Sequence, residues 1–174
     1  MTRSNRRASR GFTLIEILVV VVIIGIASAV ILPQISSRDD LRAASAARAL
    51  MADLLYAQNR SIALQKMQGV QFNTATNSYQ VVDLSSGAAV VITHPVNQTP
   101  YLVTLGTGSL SNVTLASPTF DTQTTVAFDA MGVPYSWSAG SGAAALVAGS
   151  VQVKAGTNKL TVTVAPYSGE VTVQ

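Results

Sequence analysis

Glu16 stands alone. In RGFTLIEILVVVVIIGIASAVILP, from Arg10 to Pro33, it is the only charge between Phe12 and Leu32. A carboxylate inside an apolar span costs about 2.5–3.5 kcal/mol at mid-depth and less near the edge, so it marks a function by default. The other groups able to do chemistry are scattered. His94, the single histidine, sits beside Pro95 in THPVNQTP, a loop context that suits a solvated side chain better than a general base. There is no cysteine, which removes thiol catalysis, cysteine metal sites, disulfides and a lipoprotein anchor. A nucleophile would then have to be a serine, and no GxSxG elbow occurs. Asp83, Asp121, Asp129 and Glu170 fall in separate turns, without the spacing of a calcium loop. GTGS at Gly106 lacks the lysine and following helix of a phosphate loop. Tyr135 and Trp137 read as structural aromatics. These residues point to no catalytic set, no metal ligands and no cofactor.

The element that must carry Glu16 is an apolar helix. The chain has 174 residues, 48% hydrophobic and only 11% charged, and much of that bias lies in the 21 residues from Phe12 to Leu32. At about 1.5 Å per residue such a helix matches a bilayer core of roughly 30 Å. The formal charge of +3 is unevenly placed. Four of the eleven basic residues (Arg3, Arg6, Arg7 and Arg10) lie in the first ten, leaving seven against eight acids from Phe12 onward. The basic excess therefore belongs to a leader, which keeps the N-terminus cytoplasmic and sends the rest across the membrane. A nucleic-acid partner is not expected. Phosphates need Lys or Arg, and beyond Lys66 there are only Lys154 and Lys159, while the last fifteen residues carry one charge, Glu170.

Three readings suit such a segment. A cleaved secretory signal would use ASA at Ala27–Ala29 as its processing site, but Glu16 would then charge the apolar region and the run continues past the site to Leu32. A plain signal anchor explains the length and leaves Glu16 without purpose. The third accounts for every feature: GFTLIE followed by an uninterrupted apolar run resembles the N-terminus of type IV prepilins and pseudopilins. The resemblance implies that a prepilin peptidase/N-methyltransferase cleaves after Gly11 and methylates the new terminus, Phe12. Glu16 becomes the fifth mature residue, and Pro33 matches a family proline that kinks the helix. In the family this glutamate neutralises the terminal amine of a neighbouring subunit during filament assembly. Desolvation gives a reason, since pairing removes the cost of an isolated carboxylate in lipid. The implied partners are other pilins or pseudopilins through the N-terminal helix, an inner-membrane assembly platform, and membrane lipid.

Beyond Pro33, which disfavours helix at the residue before it, helix resumes. Ser36 with Asp39, or Ser37 with Asp40, has capping-box spacing. Leu41, Ala44, Ala47, Leu50, Met51, Leu54, Leu55 and Ile62 form one apolar stripe, with Arg42, Asp53, Arg60 and Lys66 off it, and Gly69 is the expected stop. From Val70 the pattern becomes short β-branched runs separated by turn residues, which predicts antiparallel hairpins. Ser138–Ser150, low in complexity, reads as a loop with at most one short strand. A narrower resemblance rests on Phe128, Asp129 and Gly132, then Ser168, Gly169 and Glu170. It is similar to the domain shared by the minor pseudopilin H of type II secretion and FimT/FimU-type minor pilins.

The expected fold is α+β and pilin-like: a long kinked N-terminal helix, transmembrane in its first half, packed on a C-terminal antiparallel β-sheet domain. The expected parts are a leader at 1–11, a membrane half-helix at 12–32, a periplasmic amphipathic half at 33–69 and a β-domain at 70–174. The resemblance implies a non-enzymatic minor subunit of a type II secretion pseudopilus in the bacterial inner membrane, with the C-terminal domain periplasmic. The alternative is a minor pilin of a type IV pilus, in assembly, priming or DNA uptake.

Overall fold

The computed structural model describes residues 12–31 and 37–174. Two compact units result, one up to Arg38 and one from Asp39 to Gln174. Gly11 and Pro33 lie outside the described residues, as does Ser36, so the expected cleavage site, kink and first capping pair are not among them.

The first unit is helix α1, Leu14–Ile31. Every residue from Phe12 to Ser28 is exposed, with large apolar side chains on all sides. A helix without a polar face needs a non-aqueous neighbour on every side. Among the described residues no helix is long and apolar enough to cross a membrane. As described, the 18 residues of α1 reach about 27 Å, just short of a roughly 30 Å bilayer core.

The second unit takes in all but the first two residues of α2, Ser37–Leu64, which has Asp39 and Asp40 in its first turn, where the helix dipole favours negative charge. Its buried face is Ala43, Ala46, Ala47, Leu50, Leu54, Ala57 and Ser61. This corrects the expected stripe at its ends: Leu41 is 68% exposed and Ile62 42%. The centre line is set by alanines, whose small side chains let the helix lie close to the sheets, while the larger residues flank it. The stop is also corrected. Gln65, at φ 52°, takes the left-handed position; Lys66 N–H reaches the Ser61 carbonyl (3.2 Å) and Gln65 N–H reaches Ile62 (3.4 Å), the paired bonds of a Schellman cap. Gly69 lies instead inside the first strand. A Cβ there would collide with the Val126 carbonyl oxygen of the neighbouring strand, so the glycine serves close strand approach.

Eleven strands follow: β1 Gln68–Asn73, β2 Ser78–Asp83, β3 Val90–Val91, β4 Leu102–Thr104, β5 Val113–Phe120, β6 Thr125–Phe128, β7 Pro134–Ser138, β8 Gly142–Ala145, β9 Gly149–Ala155, β10 Asn158–Val164 and β11 Val171–Val173. All pairings are antiparallel. One sheet runs β3-β2-β1-β6-β7-β8, with β4 also on β2; the other runs β11-β10-β9-β5. One core joins α2 to the inner faces of both sheets, through Leu50 and Leu54, Val70 and Phe72, Tyr79 and Val81, Val151 and Val153, Val162 and Val164. A smaller cluster of Val82, Leu84, Ala127 and Trp137 covers part of the first sheet's back. Between Ala116 and Thr119 the β5 register shifts, with Ser117 at φ 46° and Pro118 in the irregular stretch. A bulge is where a strand tolerates a residue without an N–H.

Candidate functional site

At the N-terminus the chemistry and the helix start coincide. The Thr13 hydroxyl accepts from Glu16 N–H (3.3 Å), and a Glu16 carboxylate oxygen accepts from Thr13 N–H (3.5 Å). This is a capping box: Thr13 is the cap, Glu16 sits three residues on, and each side chain satisfies the other's orphan donor. The acid is also favoured by the positive end of the helix dipole. Glu16 thus has a role within its own chain, which its isolation in the apolar run did not reveal although Thr-x-x-Glu is visible in the sequence. Phe12, just before the cap, is 78% exposed. Further along, Ser28 returns its hydroxyl to the Ile24 carbonyl (2.7 Å), so its polarity is absorbed within the helix.

The C-terminal motif residues converge on one junction. Asp129 Oδ1 accepts from Met131 N–H and Val133 N–H, both 2.9 Å, and closes the β6–β7 turn around Gly132 at φ 81°. The β10–β11 turn brings Gly169, at φ 67°, beside it. Gln58 of α2 bridges the two, its amide nitrogen donating to the Gly132 carbonyl (2.9 Å) and the Ser168 carbonyl (3.4 Å). A Cβ on Gly169 would collide with that amide and come 2.9 Å from the Gly132 oxygen. Asp129, Gly132, Ser168 and Gly169 are therefore a clasp that ties both sheets to the helix. Phe128, fully buried, packs in the core beneath.

A second cluster carries no signal in the sequence pattern. Asp53, placed off the apolar stripe, accepts from Tyr79 Oη (2.7 Å) and Tyr101 Oη (2.8 Å). Burial first, then the Asp53 charge and hydrogen bond, push the Tyr79 hydroxyl well above the usual phenol range; burial and Asp53 do the same to Tyr101. His94 leans on the Tyr101 ring at 4.3 Å, and its Nδ1 accepts from Val96 N–H (3.1 Å) and Asn97 N–H (3.4 Å). Its acceptor is spent on closing its own loop. Asp121 is used similarly, accepting from Val147 and Ala148 N–H and fastening the β8–β9 connection. For Asp83, burial pulls upward, but bonds from Ser85 and Gln68 and the Lys66 charge outweigh it and hold the carboxyl below the ordinary range. Among the described residues no group of three or more His, Cys, Asp or Glu side chains is placed to hold a metal ion.

Comparison with known proteins agrees with this geometry. The model named "Prokaryotic N-terminal methylation motif" matches residues 6–32. The type II secretion system core protein G of Pseudomonas aeruginosa is 61% identical over 36 residues, 21% of this chain; the match spans 25% of that relative's length. The structure of the minor pseudopilin EpsH from the type 2 secretion system of Vibrio cholerae superposes with a TM-score of 0.52 at 13% identity, covering 76% of this chain and 96% of that one. The expected α+β architecture, a helix packed on an antiparallel β-domain, is thus the architecture found. Residues 6–32 carry the prokaryotic N-terminal methylation motif, and the chain shares the fold of that pseudopilin.

Proposed function

We propose that the chain is a structural minor subunit of a type II secretion pseudopilus, made as a prepilin and assembled into a filament. The observation that carries this is the pairing, in one chain, of the methylation motif at residues 6–32 with a domain that has the EpsH fold. Both similar proteins are components of type II secretion, which favours the secretion filament over the type IV pilus. In this reading a prepilin peptidase cleaves after Gly11 and methylates Phe12. The segment Phe12–Leu32 spans the inner membrane with its start cytoplasmic, and the β-domain stands in the periplasm. The six consecutive β-branched residues Val19–Ile24 suit that placement. They are poor helix formers in water, but in lipid only a helix satisfies their backbone groups. Pro33 bends the exit from the membrane. Glu16 gives up the Thr13 N–H for the amine of an adjacent subunit, and partners dock along the N-terminal helix above the assembly platform. The role is scaffolding, without chemical turnover.

The test is mass spectrometry of the N-terminal peptide of protein purified from its host. A peptide beginning at Phe12 with one added methyl group supports the reading. A start at Val30 replaces it with an ordinary signal peptide. An unprocessed start in a host that matures its other prepilins refutes it equally.

A further inference from the structure

The back of the first sheet is divided. One half is sealed by Val82, Leu84, Ala127 and Trp137. The other half is open and polar, and it forms a groove of about 420 Å³ across β1, β2 and β4. Side chains alternate along a strand, so with Val70, Phe72, Tyr79 and Val81 in the core, Gln71, Asn73, Ser78 and Gln80 take the opposite face. Register places Gln71 opposite Gln80 and Gln80 opposite Leu102; the next row is Asn73, Ser78 and Thr104.

We propose that this groove is a binding site for a neutral, hydroxyl-rich ligand, a saccharide. The lining contains no Asp, Glu, Lys or Arg, which disfavours nucleic acid, phosphates and acidic or basic peptides. It nonetheless offers both donors and acceptors. Gln80 Nε2 donates to Gln71 Oε1 (2.7 Å), leaving the Gln71 amide nitrogen and the Gln80 carbonyl oxygen without a protein partner among the described residues. Asn73 Oδ1 is taken by the Ala75 and Thr76 N–H groups, which leaves its NH2. The Thr76 and Ser78 hydroxyls share one bond (2.7 Å), so one hydroxyl donor stays over. Leu102, 54% exposed at the β4 edge of this polar face, offers an apolar platform. Amides, hydroxyls and one apolar patch, without charge, complement the alternating O–H and C–H surface of a sugar. A peptide strand fits less well, because β2 is paired on both sides and the open main-chain edge beside the groove is only the three residues of β4.

This inference rests on the fold alone and is independent of the secretion reading. The test is a two-dimensional NMR titration of the mature full chain, in micelles of a detergent without a sugar headgroup. The ligands are maltohexaose, cellohexaose and chitohexaose, with a neutral Gly/Ser hexapeptide as the comparison. Saturable shifts of the Gln71, Asn73 and Gln80 side-chain amides with at least one saccharide are expected. Gln80→Ala and Thr104→Val should each weaken that binding about tenfold, the loss of one well-placed hydrogen bond at roughly 1.4 kcal/mol. Lys154→Ala, on the other sheet, should leave it unchanged. No saturable shift with any of the three sugars, a shift that survives both groove substitutions, or a shift with the hexapeptide alone would overturn the proposal.

Discussion

Glu16 carries two duties that ordinary substitution confounds. Its carboxylate closes a capping box with Thr13, and in the proposed filament its charge meets an amine. Glutamine separates the two, since its amide oxygen still accepts from Thr13 N–H but carries no charge. Glu16→Ala and Glu16→Gln should both be cleaved after Gly11, and neither should enter filaments, as judged by immunoblots of sheared fractions. Incorporation of the glutamine variant at wild-type levels would mean that capping, not charge, is what assembly requires. Asp53 poses the simpler case of a half-buried acid whose two partners are phenols. Asp53→Ala strands both hydroxyls in the core, each at about 1–3 kcal/mol. We expect a loss of about 2–4 kcal/mol in urea unfolding, as a lower midpoint at constant slope. A change under 0.5 kcal/mol would mean that water replaces the acid. Sequence pattern pointed directly at Glu16 because a charge in an apolar run is anomalous. It missed Asp53 because a polar residue beside a helical stripe looks like solvated surface, and only the fold brings Tyr79 and Tyr101 to it.

At the scale of elements, what was legible depended on how strong the local period is. β9 and β10 are among the short β-branched runs expected beyond Val70, since Val151 and Val153 alternate with polar residues in β9 and Thr161–Val164 are all β-branched in β10. β7 is not among the β-branched runs of the sequence, and β8 falls in Ser138–Ser150, where at most one short strand is expected. β7, PYSWS, buries Trp137 but has no β-branched residue, and β8 is GAAA with every residue exposed, so neither shows a β-branched run and pairing defines both. Gly69 was misjudged for a related reason. A glycine after a helical stretch reads as a cap, yet its purpose is the approach of Val126. Gly69→Ala should therefore cost about 3 kcal/mol, the upper end of overpacking, by forcing β1 from β6 or displacing Leu84. A helix-cap glycine without left-handed geometry would cost almost nothing, so differential scanning calorimetry of this variant decides between the two roles. On the second sheet Lys154 and Lys159 stand directly opposite. Like charges so placed repel, and Lys159→Glu should raise stability by about 0.5 kcal/mol at low salt. That gain should shrink as salt screens the pair.

For the whole molecule, helix-then-sheets is readable from the switch in period at Val70, and the membrane-like segment from composition. The split into two sheets was not, because it depends on long-range closures that no local pattern encodes. Asn77 is one of them: its side chain accepts from Leu115 N–H (2.7 Å) and donates to the Val113 carbonyl (2.9 Å), binding a hairpin of the first sheet to β5 of the second. The Asp53–Tyr79–Tyr101 cluster is another, and it links the helix to the first sheet in a way that responds to pH. Both phenols are raised above their unfolded value of about 10, by burial first and by Asp53 next. The folded state therefore holds those protons more tightly than the unfolded chain does. The stability they contribute is complete below about pH 10 and drains away as pH rises through and beyond it, because only the unfolded chain can release the protons. Of the five tyrosines, these two should stay protonated in alkali until the β-domain unfolds, so part of the tyrosinate absorbance should appear together with the loss of near-ultraviolet ellipticity. The double variant Tyr79→Phe/Tyr101→Phe should be less stable at neutral pH yet lose less on going from pH 9 to pH 11. An alkaline limb equally steep in wild type and variant would assign the lability to lysine deprotonation and remove the phenols from the account.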